Sequence, residues 1–314
     1  MAVNRRDKMT APGREWCKRM EIGGTYPMLY AFFDEAGALR RDAWSRQIEA
    51  SVAAGASGIA ALGLGTEVQK LGRAERRLLV EWTIADVAGR VPVVVTIADG
   101  NVIDMVESAK FAVGAGASWL ILQPPRPPAT GAHLIEFFGA VAQSVECPIG
   151  VQNAPEFLGI GLTPADLLQL NAAHPNISVV KAESTALTVA GVVAELGGRM
   201  KIFNGRAGFE LLDNLRAGVD GMIPGTETID LQVGIERAFR AGDEARAETL
   251  YRRLLPAIAF AMQGLGNFLL YGKLIAAHRL GLAPSANRIP SDTATPTGLA
   301  WAERYAAELG PLPA

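Results

Sequence analysis

The sequence is poor in the residues that build most redox and metal centres. Of its 314 residues only two are cysteine and three are histidine. Cys17 and Cys147 lie far apart and neither belongs to a CxxC pair, so no disulfide framework or dithiol motif is expected. His133, His174 and His278 fall in segments of helical spacing or at their ends, and no His/Asp/Glu set shows metal-ligand spacing. No resident metal is expected. Charge of one sign is also missing: 30 Lys and Arg face 32 Asp and Glu, for a net charge of -2, which argues against a nucleic-acid-binding surface. Gly, Pro or charge breaks every long apolar run well short of a membrane span. Arg5, Arg6, Lys8, Arg14, Lys18 and Arg19 make the N-terminus basic, but no apolar stretch follows. A signal peptide is therefore not expected, and a cytoplasmic location is the default. No GxGxxG follows the first strand and no GxxxxGK[ST] occurs, which sets aside the common nucleotide-phosphate loops.

What is present is alternation. From Thr25 onward, short apolar runs alternate with longer segments of helical spacing. The runs are Pro27–Phe33, Gly58–Leu64, Val93–Ile97, Trp119–Gln123, Ile149–Asn153, Ser178–Glu183, Lys201–Asn204 and Gly221–Ile223. The helical segments are Asp42–Ala54, Arg73–Ala88, Val102–Val113, Ala132–Ser144, Pro164–Ala172, Leu187–Leu196, Ala207–Ala217 and Ile229–Ala241. Strict alternation predicts a parallel sheet, and eight units in this length fit a closed (β/α)8 TIM barrel of the α/β class. A weak repeat agrees: Ala54-Gly55-Ala56, Ala115-Gly116-Ala117 and Ala217-Gly218-Val219 each place a glycine where a helix ends and a strand follows. The expected organisation is an N-terminal extension over 1–24, the barrel over 25–242, and extra C-terminal helices over 243–314 packed on it. Glu244–Leu280 reads as helix interrupted at Pro256, Gly264 and Gly266, and Gly298–Leu309 as a last helix after a Pro/Ser/Thr-rich loop at Pro284–Pro296.

In a barrel of this kind the active site lies at the C-terminal ends of the strands. One strand carries a lysine in its middle: Ile177-Ser178-Val179-Val180-Lys181-Ala182-Glu183. An ammonium in an apolar strand is costly unless paired or deprotonated. A neutral lysine is a nucleophile whose natural target is a ketone or aldehyde carbon, giving a Schiff base. Alternation places Val179, Lys181 and Glu183 on one face. The plainer reading is a strand-end lysine that reaches solvent or a salt bridge. Strand two ends in Gly63-Leu64-Gly65-Thr66-Glu67, a turn whose amides could approach a carboxylate, or a plain tight turn. Strand four ends in Gln123-Pro124-Pro125-Arg126, where Arg126 is either a rim anchor or a solvated loop residue. Strand five ends in Gln152-Asn153-Ala154-Pro155 and strand seven in Asn204-Gly205-Arg206.

These motifs resemble the dihydrodipicolinate synthase/N-acetylneuraminate lyase family of class I aldolases, from about Tyr26 to Leu282. The resemblance makes Lys181 the imine-forming residue and Gly63, Leu64, Gly65 and Thr66 the turn that binds the carboxylate of a 2-oxo acid. It puts Asn204, Gly205 and Ile223 in the pocket, and implies a homo-oligomer, dimer or tetramer. No cofactor is implied beyond the covalent imine. Three departures stand out. Leu64 and Gly65 replace the family's two threonines. Gln152 stands where the synthase and lyase keep a proton-relaying tyrosine, and an amide has no titratable proton near neutrality. Phe157 and Arg126 fall near the positions of the synthase's anchor arginine and second relay tyrosine. The runs Val151-Gln152-Asn153-Ala154-Pro155 and Lys181-Ala182-Glu183 look closer to 2-keto-3-deoxy-sugar-acid dehydratases, such as 2-keto-3-deoxy-L-arabinonate dehydratase. That likeness implies acid–base work by Glu183 beside Lys181, with Gln152 orienting the imine or the leaving hydroxyl. Glu183 as a purely structural carboxylate is the competing reading. Two classes of function remain: a Schiff-base lyase, with the synthase or an aldolase as the alternative chemistry, and a barrel that binds a 2-oxo acid without turnover.

Overall fold

The computed structural model describes residues 21–126, 129–283 and 286–314. The basic N-terminal segment 1–20, Pro127 and Pro128 of the strand-four loop, and Pro284 and Ser285 lie outside the described residues. Eight parallel strands form one sheet: β1 Gly24–Thr25, β2 Ile59–Ala61, β3 Val93–Ile97, β4 Trp119–Leu122, β5 Ile149–Asn153, β6 Ile177–Ala182, β7 Lys201–Asn204 and β8 Gly221–Met222. Their order is β1-β8-β7-β6-β5-β4-β3-β2. The two ends of that order meet at the chain just past β1. Met28 bridges both Ala60 and Gly225 in parallel, and the Leu29 amide donates to the Ala60 carbonyl at 3.0 Å. The sheet thus returns on itself.

Helices follow the strands: α1 Arg41–Ala53, α2 Arg73–Val87, α3 Val102–Ala115, α4 Gly131–Ala142, α5 Pro164–Ala173, α6 Ala186–Leu196, α7 Leu211–Ala217 and α8 Ile229–Arg240. Local sequence sets their starts. Asn101, Thr130, Thr163 and Thr185 each accept a hydrogen bond from the backbone three residues on, the N-cap arrangement. The repeat glycines behave as expected: Gly55, Gly116 and Gly218 have φ of +85°, +120° and +92°. After α8 come α9 Glu244–Ala261, α10 Leu265–Arg279 with a π turn at Phe268–Gly272, and α11 Pro296–Leu309. No single helix among the described residues is long and apolar enough to cross a membrane.

Three expectations are corrected. Pro27–Phe33 is not a continuous strand: Pro27 has no amide to give to a ladder, and Tyr30–Phe33 is apolar because it packs into the sheet–helix core. Pro256 does not interrupt α9; the chain turns by 107° only between α9 and α10. The segment before α7 is a separate 3-10 turn, Arg206–Gly208, in which Arg206 and Ala207 have positive φ.

Two apolar layers result. One lies between sheet and helices and runs through residues as distant as Leu29 and Leu309. The other fills the inside of the ring: Ile22, Tyr26, Met28, Ala60, Val94, Trp119, Ile121, Val179, Phe203 and Ile223. Within it, the Tyr26, Trp119 and Phe203 rings touch pairwise at centroid distances of 5.7, 5.7 and 5.4 Å. Such ring pairs contribute roughly 0.5–1.5 kcal/mol each beyond burial. They need room, and Gly58 supplies it: a Cβ there would lie 2.0 Å from the Tyr26 ring. This aromatic layer is the floor beneath the strand tips.

Candidate active site

The inward face of β6 carries Val179 into the aromatic-floored layer, so alternation turns Lys181 inward one level higher. Register then determines its neighbours. Gln152 of β5 pairs with Lys181, and Lys181 with Phe203 of β7. On the other side, Leu122 of β4 pairs with Val151, which brings Gln123, the next residue, beside Gln152.

Lys181 Nζ lies 3.0 Å from Glu183 Oε1. Both residues are nearly sealed from solvent, at 4% and 6% exposure. The other carboxylate oxygen accepts a hydrogen bond from Gln152 Nε2 at 2.5 Å. Gln152 Oε1 in turn accepts from Gln123 Nε2 at 3.2 Å, and Gln123 Oε1 accepts from Gln69 Nε2 at 3.4 Å. Three glutamines therefore run head to tail from the exposed Gln69 to the buried Glu183. Gly205 lets Glu183 sit there: a Cβ at 205 would fall 2.3 Å from Glu183 Oε1. Asn204 fastens the end of β6 by donating to the Ala182 carbonyl at 2.8 Å. The Glu183 amide donates to the Asn153 carbonyl at 2.9 Å, which extends the β5–β6 ladder to the acid–lysine pair.

The structure thus brings Lys181, Gln152 and Glu183 into one hydrogen-bonded group, with Asn204 and Gly205 as its support. Ile223 is 3% exposed and belongs to the apolar layer inside the ring. The turn after β2 is a 3-10 turn, Leu64–Thr66. The first amides of such a turn have no acceptor within it and point along its axis. Leu62, just before it, is held at φ +63°, a costly conformation for a branched side chain that makes the chain turn abruptly. The Thr66 hydroxyl is fully buried and donates to the Leu29 carbonyl at 2.6 Å, so its proton is not available to a ligand carboxylate. Arg126 is exposed at the rim.

Sequence reasoning gave Gln123 and Gln69 no part in this group, because it placed the interest of the strand-four loop on Arg126. The available signal was alternation: Trp119 and Ile121 face inward, so Gln123 must too. A second buried lysine was also missed. Lys273 of α10 is 3% exposed, and its Nζ lies 2.5 Å from Glu67 Oε1, while Lys70 holds Glu67 Oε2. Burial draws the Lys273 ammonium below the ordinary lysine range, against the opposing pull of Glu67. Among the described residues no group of three or more His, Cys, Asp or Glu could hold a metal ion.

Known proteins share this arrangement of elements. The chain is 29% identical over 247 residues to an Escherichia coli K12 protein named "Probable 2-dehydro-3-deoxy-D-pentonate aldolase YjhH", covering 76% of this chain and 82% of that one. It is 32% identical over 206 residues to a 4-hydroxy-tetrahydrodipicolinate synthase of Xanthomonas campestris pv. campestris, covering 65% and 68%. Among solved structures, Escherichia coli K12 YagE, described as a prophage protein of the dihydrodipicolinic acid synthase family in complex with pyruvate, superposes with a TM-score of 0.85 at 25% identity, over 92% of this chain and 99% of that one. The sequence pattern of the dihydrodipicolinate synthetase family spans residues 21–296, and this chain belongs to that family.

Proposed function

We propose that the protein is a lysine-imine lyase that dehydrates a 2-keto-3-deoxy sugar acid. One observation carries the reading: a carboxylate lies 3.0 Å from the Lys181 amine and is held by a glutamine amide. Lys181 attacks C2 of the 2-oxo acid and water leaves, forming the imine. The imine draws electrons from C3. A C3–H bond breaks, its proton passes to Glu183, and its electron pair becomes the C2=C3 bond of an enamine. The enamine then expels the C4 hydroxide, which leaves as water by taking the proton that Glu183 received from C3, and Glu183 returns to its carboxylate form. Hydrolysis of the unsaturated imine frees Lys181. Glu183, next to the imine nitrogen, suits the C3 proton. Cleavage of C3–C4 would instead begin with a base at the C4 hydroxyl. Gln152 and Gln123, which continue the row from Glu183, are amides that take no proton near neutrality, and this leaves Glu183, placed beside the imine for C3, as the single base of that row.

The electron sink is the imine, so the proposal includes no cofactor or metal. The 2-oxo acid's carboxylate is assigned to the Leu64 and Gly65 amides, because the Gly63 amide donates to the Met28 sulfur at 3.2 Å. A cytoplasmic homo-oligomer whose partner is a small 2-oxo acid, with no nucleic acid or membrane involved, completes the proposal. A second reading is aldol cleavage to pyruvate and an aldehyde, favoured by the name of the Escherichia coli relative. Product analysis with 2-keto-3-deoxy-pentonates and -hexonates separates them. An unsaturated or rearranged acid of unchanged carbon count is expected. Pyruvate plus an aldehyde would make the enzyme an aldolase, and no turnover of any such acid would leave a binding barrel. Condensation of pyruvate with aspartate semialdehyde should be negligible, because Gln152, Arg126 and Phe157 replace the synthase's relay and anchor groups.

A further inference from the structure

We infer that Gln123 is a positioning residue that fixes Glu183 through Gln152, so that a row of three amides holds the acid–base carboxylate in one orientation. The inference rests on the reading of Glu183 as the group that moves the C3 proton. A carboxylate can only accept hydrogen bonds, so Gln152 must turn its NH2 toward Glu183. Its carbonyl is then presented to Gln123, which must turn its own NH2 inward, and Gln69 follows. The amide orientations are thus dictated from the buried end of the row. Gln152 and Gln123 are each 2% exposed, so water cannot readily replace a lost partner.

With Glu183 as carboxylate, every link has a donor facing an acceptor. When Glu183 takes the C3 proton, the oxygen bonded to Gln152 becomes a poorer acceptor, and the row regains its full complement once that proton is passed on. Gln69, exposed at the outer end, sets the last link. Removing a link should therefore weaken the fixing of Glu183 in proportion to its closeness: Gln152 most, Gln123 next, Gln69 least.

The test uses the full-length protein and variants Gln123→Met and Gln69→Ala; the second lies on the surface and does not threaten the fold. Two readouts are taken. The first, the proton exchange rate and chemical shift of the Gln152 side-chain amide by NMR, needs no substrate. The second is hydrogen–deuterium exchange into the methyl group of pyruvate, whose methyl carbon is C3. In Gln123→Met the Gln152 amide should exchange at least about tenfold faster with a moved shift, as expected when a buried hydrogen bond of ~1.5 kcal/mol is lost. Pyruvate exchange should fall about tenfold at saturating pyruvate, a kcat effect, with KM and borohydride trapping on Lys181 unchanged. Gln69→Ala should move both in the same direction by about threefold. Unchanged Gln152 signals in Gln123→Met overturn the inference. So does unchanged pyruvate exchange where trapping works. Should Gln123→Met not fold, Gln69→Ala decides alone: no change in the Gln152 signals overturns it. If the Gln152 signals move but wild-type protein traps no pyruvate, the amide row stands and the lyase reading falls.

Discussion

Among the described residues there are two buried lysine–glutamate pairs, and they are built for different ends. Lys181–Glu183 stands at the tip of β6, inside the ring of strands. Lys273–Glu67 joins α10 to the turn after β2. Burial does not distinguish them: exposures are 4% and 6% for the first pair, 3% and 4% for the second. The partners do. Glu67 has a cation on each oxygen, Lys273 and Lys70. Lys273 also stands 5.2 and 5.9 Å from the Phe33 and Phe32 ring centres. Every charge in that cluster is matched by another charge or an aromatic face, which makes it a clamp. Glu183 has one cation on one oxygen and a neutral amide on the other. A pair matched that way can let its lysine react, since the carboxylate keeps a partner when the ammonium charge is gone.

The sharpest way to break this comparison is to remove each lysine. Lys181→Met should abolish borohydride trapping of pyruvate and all turnover. Lys273→Met should keep trapping, and should instead unfold at lower denaturant because Glu67 loses one of its two cations. Trapping that survives in Lys181→Met, or disappears from folded Lys273→Met, would reverse the assignment of the two pairs. The next effect is Glu183→Gln, which keeps shape and hydrogen bonding while removing the proton acceptor. Turnover should fall by about 10²–10⁴-fold, the usual range for a general acid–base group, with trapping retained. Normal turnover in that variant would leave Glu183 a structural carboxylate.

The contrast also shows what could be read in the chain. Lys181 was legible because a strand has a two-residue period, so a lone lysine among β-branched residues is conspicuous. Seven of the eight strands lie in or next to their apolar runs for the same reason. The run Pro27–Phe33 misled because residues buried against helices have the same composition as a buried strand. Lys273 left no trace because a lysine in a helix is ordinary; only the fold lays it over Phe32 and Phe33, some 240 residues earlier in the chain. The glutamine row was half legible. Gln152 was visible against a family resemblance, whereas Gln123 and Gln69 acquire meaning only from the β4–β5 register and the turn after β2.

Glu67→Gln sharpens the clamp side of the comparison. It leaves Lys70 and Lys273 with no anion between them. Removing one member of a buried pair costs about 3–5 kcal/mol, and the loss should appear as a lower midpoint in urea with an unchanged slope. Trapping on Lys181 should persist in the folded fraction. A midpoint equal to wild type would mean that the two lysines find other partners or reach water.

The smallest effect concerns a third buried acid that belongs to neither pair. Glu227 follows β8 and is fully buried. The Tyr30 hydroxyl donates to its Oε2 at 2.8 Å, and its Oε1 has no hydrogen-bond partner. The nearest cation, Arg279, gives its N–H groups to the Glu227 and Gly310 carbonyls and to the Asp230 carboxylate, so little of its charge is directed at the Glu227 side chain. Burial therefore pushes the Glu227 carboxyl up to about 7, against 4.5 in an open chain. The folded protein holds a proton there that the unfolded chain releases above pH 4.5. The stability tied to that proton is fully present below that pH and is lost as pH rises through about 7. The slope cannot exceed about 1.4 kcal/mol per pH unit, the value for one proton. Carboxylates held low by arginines, such as Asp86 and Glu75, act in the opposite direction and at lower pH. Subtracting a Glu227→Gln variant cancels their contribution. Urea unfolding at pH 5 and pH 8 should show wild type losing more stability across that interval than Glu227→Gln does. Parallel losses would mean that Glu227 is ionised in the folded protein and that a partner for Oε1 exists.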